Sequence, residues 1–67
     1  MIKLEIDGKI RTVRDQGHRW GINWTIIGVL DKGRVVSEHT IPSDWFTNRP
    51  HTICVTGGHR YRHVSQD

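Results

Sequence analysis

The stretch His59-Arg60-Tyr61-Arg62-His63 sets two histidines and two arginines around a tyrosine, with His51 and Cys54 just upstream. Residues of these types can bind metal, catalyse, or contact nucleic acid. The metal reading fails on spacing. Zinc takes four ligands in a tetrahedron, and the order here is H-x2-C-x4-H-x3-H, without the usual pairs. If Gly57-Gly58 is a two-residue turn, Cys54, His59 and His63 share a face. His59 and His63 are then roughly 13 Å apart along one strand, too far for one ion. His51 points to the other face. We expect no metal and no cofactor, with Cys54 as a buried apolar residue.

Catalysis needs a nucleophile or acid beside a matched base in a pocket. Cys54 with a histidine, or Asp44 with His39, are the only pairs that suggest themselves. Cys54 lies between Ile53 and Val55, a core setting, and no glycine-rich phosphate loop occurs. We expect a non-enzyme.

The nucleic-acid reading is stronger. Alternation places Arg60 and Arg62 on one face of the last strand with Ile53 and Val55, and His59, Tyr61 and His63 on the other. Arginine contacts phosphate, while tyrosine and histidine can stack on bases. Arg11, Arg14 and Arg19, with Lys9, would extend the positive field. Trp20 beside Arg19 could stack as well, although a tryptophan there is expected in the core. The competing reading is a protein-interaction module, such as an adaptor, an inhibitor or a homodimer. It would use Trp45, Phe46 and Arg49 of the Ser43–Arg49 loop, or an open sheet edge. Trp45 and Phe46 are expected to plug the core rather than stand free. The sequence favours an accessory domain contacting DNA or RNA, with protein interaction second.

The elements that must position these residues are short. A chain of 67 residues makes one domain and buries only about 60% of its unfolded surface. One cysteine excludes an internal disulfide, which favours a reducing compartment or a homo-oligomer. There is no apolar run of membrane-spanning length and no signal-peptide pattern at the start. We expect a cytoplasmic protein. The net charge of +3 and pI near 9.6 are modest. Residues 1–48 carry seven Lys/Arg against six Asp/Glu, so most of the excess lies in Arg49, Arg60 and Arg62 against Asp67.

Asp7-Gly8, Asp31-Lys32-Gly33 and Gly57-Gly58 punctuate runs rich in Ile, Val, Thr and aromatics, a hairpin signature. The expected strands are 2–6, 10–14, 22–30, 34–41, 51–56 and 59–64, with one 3₁₀ turn over 43–47. In the first hairpin a two-residue turn puts Ile2, Leu4 and Ile6 with Val13 and turns Ile10 away. A three-residue loop does the reverse, and a bulge between Ile10 and Val13 would reconcile them. In the second, a three-residue loop pairs Leu30 with Arg34, so that Ile27, Val29 and Val35 share a face. Gln16 to Arg19 is expected as a link between strands. The sum is an all-β fold, a strongly bent antiparallel meander or SH3-like barrel.

Overall fold

The computed structural model describes residues 2–66. Six strands and one helix follow as β1 (Ile2–Ile6), β2 (Lys9–Arg19), β3 (Trp24–Asp31), β4 (Arg34–Pro42), α1 (Ser43–Asn48), β5 (Cys54–Thr56) and β6 (His59–Gln66). They form one antiparallel sheet in the order β4-β3-β2-β1-β6-β5. β1 to β4 meander. α1 then carries the chain to the far edge, where β5 turns back as β6 against β1. No ladder joins β4 to β5 among the described residues, so the sheet is a curled half-barrel with two open edges. The Cα radius of gyration, 10.9 Å, matches the roughly 11 Å expected of a compact chain this long. The curl therefore closes over a real core.

The turns explain the register. Asp7-Gly8 (φ 52° and 87°), Lys32-Gly33 (54° and 79°) and Gly57-Gly58 (60° and 81°) all take two consecutive left-handed residues. That is the two-residue hairpin turn whose twist suits antiparallel strands. Asp7-Gly8 pairs Ile6 with Lys9 and Ile2 with Val13 without interruption. The two-residue alternative holds, no bulge is needed, and Ile10 points outward. Gly57-Gly58 pairs Thr56 with His59 and Cys54 with Tyr61, as expected.

The second hairpin differs from expectation. Its loop has two residues, so Asp31 pairs with Arg34 and Leu30 with Val35. The ladder then slips by one at Val36, and Val29 faces Ser37. Val35 lies with Leu30 on the convex side, not with Ile27 and Val29. The expected link at Gln16 to Arg19 is instead the end of β2, interrupted between Asp15 and His18. Gly17 takes φ 109° there, and its N–H donates to the Asp15 carboxylate at 2.8 Å. Such irregularities bend a strand and increase local twist. β5 starts at Cys54 rather than at 51, since His51 to Ile53 lie outside the ladder beyond Pro50. The expected 3₁₀ turn is a six-residue α-helix.

The concave face holds the core, made of Leu4, Ile6, Val13, Ile27, Val29, Ile41 and Tyr61. Ile2, Trp45, Phe46 and Cys54 pack around it. Burying each large side chain is worth about 1.5–3 kcal/mol. Buried Thr25 and Ser43 satisfy each other through a hydroxyl–hydroxyl hydrogen bond of 2.7 Å, tying β3 to α1. On the convex side the Gln16 amide lies across Gly28. A Cβ at Gly28 would stand 2.7 Å from Gln16 Nε2, so a larger residue there would displace the flexible Gln16 side chain.

Candidate functional site

The last hairpin divides its side chains as alternation requires, but its aromatic face is the inner one. Tyr61 is 2% exposed and belongs to the core. Its hydroxyl shares a 3.0 Å hydrogen bond with His39 Nδ1. Burial first, and then the negative charge of Asp7, push the phenol up to about 12. His63 Nε2 donates to the Trp45 carbonyl at 3.0 Å. The His63 ring stacks on the Trp45 indole with centroids 4.0 Å apart. Burial pulls the His63 pKa down, Arg49 pulls the same way, and the Trp45 carbonyl opposes both. His59 Nδ1 bonds the Asp7 carboxylate, which also accepts the Arg60 N–H at 3.0 Å. These two bonds lower the pKa of Asp7.

Tyr61 therefore offers no ring face to a base, which corrects its expected role as the stacking residue. The cause is packing. The concave face needs a large side chain opposite Ile6, and Tyr61 is paired with it across β1 and β6. Arg62 is engaged too. Its Nε and Nη2 grip both oxygens of Glu5 at 3.0 and 3.2 Å, which lowers the carboxyl pKa of Glu5. Arg60 is exposed on the convex face beside Val55.

The remaining basic residues do not extend one field. Arg11 pairs with Leu4 and so lies on the concave side. Arg14 pairs with Gly28 on the convex side, and Arg19 stands at the far end of β2. Trp45 and Phe46 are half-buried against the core, and Trp45 Nε1 donates to the Thr52 carbonyl at 3.1 Å. Both act as the expected plug. Arg49 ends the helix with φ 51°, its N–H donating to the Trp45 carbonyl at 3.2 Å. Cys54 is half-buried, and burial raises its thiol pKa. His39 does not meet Asp44. It turns inward to Tyr61, with the His59 ring 4.9 Å away. Among the described residues no group of three or more His, Cys, Asp or Glu is placed to hold a metal ion. No helix there is long and apolar enough to cross a membrane.

Two residues stand out against what the sequence led us to expect. Trp20 is 72% exposed and Ile22 76% exposed. Both lie on the β2–β3 turn, and the expected burial of Trp20 is overturned. Trp20 takes φ 56°, followed by Gly21 at 85°, a left-handed pair like that of Asp7-Gly8. The turn carries the indole outward. The Arg19 guanidinium lies 5.4 Å from the Trp20 ring centroid, and the edge of Trp24 meets it at 6.3 Å. The Trp20-Gly21 pair was the available signal, since a residue before glycine at a strand end is often a turn residue.

A second apolar exposure follows the β5 edge. Ile53 and Val55 are exposed there, with Ile10 further along the convex face. A groove of about 510 Å³ runs beside them, lined by Glu5, Ile53, Arg60 and Arg62 among others. The molecule is thus an open curled sheet with an exposed apolar and aromatic rim. The chain matches no family model, no curated protein and no solved structure.

Proposed function

We propose that this protein is a non-enzymatic protein-interaction module. Its half-barrel, SH3-like in outline, would serve as a rigid scaffold for an exposed rim, with Trp20 and Ile22 as the anchor. The observation that carries this reading is the exposure of both side chains on one tight turn. A bulky residue in the left-handed region costs about 1 kcal/mol or more, and burial of the indole does not offset that cost here. Tryptophan and arginine are the residues most enriched at binding hot spots, and Arg19 sits over the Trp20 ring. The apolar β5 edge supplies a second strip for the same partner, or an edge for strand addition. Contact with DNA or RNA, the reading favoured by the sequence, now rests on net charge and dispersed exposed arginines such as Arg14, Arg19 and Arg60, without a stacking tyrosine.

The test is affinity capture from the source cells with the wild-type protein and a Trp20→Asn/Ile22→Ser variant side by side. The captured partner is then titrated against both. We expect the variant to bind at least about 30-fold more weakly, the loss typical of a hot-spot residue. Equal binding by both proteins would reject Trp20 and Ile22 as the anchor. Tight oligonucleotide binding that weakens with salt and with Arg60→Ala would restore the nucleic-acid reading.

A further inference from the structure

The concave face has a polar mouth at the end away from Trp20. Antiparallel alternation brings the Asp7-Gly8, Lys32-Gly33 and Gly57-Gly58 turns to that end, and the Trp20 turn to the other. Just inside this mouth is a cleft of about 400 Å³. Ile6 and Val29 line it from the core. Lys9 and Arg11 line it from β2, and Ser37 and His39 from β4. An apolar floor with a few convergent polar groups is the usual form of a small-ligand site.

The charges in the cleft are unbalanced. Among the described residues the ion pairs are His59 with Asp7 and Arg62 with Glu5, so neither Lys9 nor Arg11 is paired. Asp7 is the only carboxylate in the lining. Both its oxygens are taken, one by His59 and one by the Arg60 N–H. The donors are also placed to act together. Tyr61 keeps its proton to about 12, so its hydroxyl can donate to His39 Nδ1. In the tautomer that accepts this bond the proton of neutral His39 sits on Nε2, which makes only a long 3.5 Å contact with Ser37 Oγ.

We propose that this cleft binds a small phosphate-bearing ligand, held by Lys9, Arg11, His39 and Ser37. Two fixed cations match the charge of a phosphate monoester, which lies between −1.5 and −2 near pH 7 as an order of magnitude. Arginine offers a planar fork for two oxygens and lysine a point charge. The His39 N–H and the Ser37 hydroxyl complete a set of donors that a tetrahedral oxyanion can satisfy. The His39 pKa is lowered first by burial and next by His59; Asp7 opposes them, and Arg11 lowers it least. A bound phosphate beside the ring would raise it. This site is separate from the Trp20 rim and stands or falls independently of it.

The experiment is an amide NMR titration of the whole chain with inorganic phosphate, and with a small phosphate monoester, against sodium chloride at matched ionic strength. Saturable shifts are expected at Lys9, Arg11, Ser37 and His39, with a dissociation constant on the order of 1 mM or below. The His39 ring pKa should rise in phosphate. A Lys9→Gln/Arg11→Gln variant with an unchanged spectrum elsewhere should bind at least about tenfold more weakly. Lys9→Arg/Arg11→Lys should retain binding. The stronger of the two phosphate ligands then identifies the source. Shifts that do not saturate, that chloride reproduces, or that survive the Gln variant would overturn the proposal. So would binding of oligonucleotides with none of either small ligand.

Discussion

The Asp7-Gly8 and Trp20-Gly21 turns begin from the same backbone, a non-glycine residue near φ +50° followed by a glycine near +85°. They are secured in opposite ways. The first is tied across the sheet. The Asp7 N–H donates to the Arg60 carbonyl at 2.9 Å, and the Asp7 carboxylate holds His59 and the Arg60 N–H. The second has Arg19 over its indole and the edge of Trp24 beside it. One end of the half-barrel is committed to the fold, and the other carries side chains whose removal should leave the fold intact. Substitutions that separate stability from binding therefore probe this contrast.

The largest effect belongs to the core that both ends share. Ile27→Ala should cost about 2–5 kcal/mol in denaturant unfolding. A chain of this length has only about 3–10 kcal/mol in total, so that variant should lie close to unfolding. Tyr61→Phe should cost less, about 1–2 kcal/mol, because His39 Nδ1 loses its buried partner. A base-stacking tyrosine would instead show no loss, so this variant also tests which face of the last hairpin is the core.

Acid should act on the histidine and carboxylate ties. The pKa values of His39 and His63 are lowered from 6.5 in the folded protein, so the unfolded chain takes up protons first. Stability should be whole above pH 6.5 and fall as pH drops from there through the folded-state values. A second decline follows from Asp7 and Glu5, lowered from 3.8 and 4.5. Their contribution is present above those values and is lost as pH falls through the lower folded ones. Thermal unfolding across pH should show both limbs. His39→Gln should flatten the first and Asp7→Asn the second. Arg62→Ala should give the smallest change, since an exposed ion pair contributes little.

Much of this architecture was legible in the sequence. Gly57-Gly58 gave the last hairpin register, Asp7-Gly8 left the first between two alternatives of which the two-residue turn holds, and alternation placed Tyr61 opposite Arg60 and Arg62. It could not say which face lay inside. Ile53 and Val55 made the arginine face look apolar, whereas Tyr61 and His63 are the side chains that meet Ile6 and Leu4. The slip at Val36 was hidden because Lys32 takes the left-handed conformation itself, which shortens the expected loop by one residue. Gly17 read as a strand break but is an irregularity within β2. The exposure of Trp20 was missed for a related reason. A tryptophan is expected inside on size alone, and only a turn forming at Trp20-Gly21 turns it outward. The cleft was not visible at all, because Lys9 and Arg11 come together with Ser37 and His39 only through the curl.

The most direct test measures stability and partner binding together for Trp20→Asn/Ile22→Ser. Asparagine tolerates the left-handed region, so the expected stability is within about 0.5 kcal/mol of wild type, with partner binding lost. A destabilisation of core size, or binding that survives unchanged, would contradict the claim that this end of the half-barrel exists for recognition.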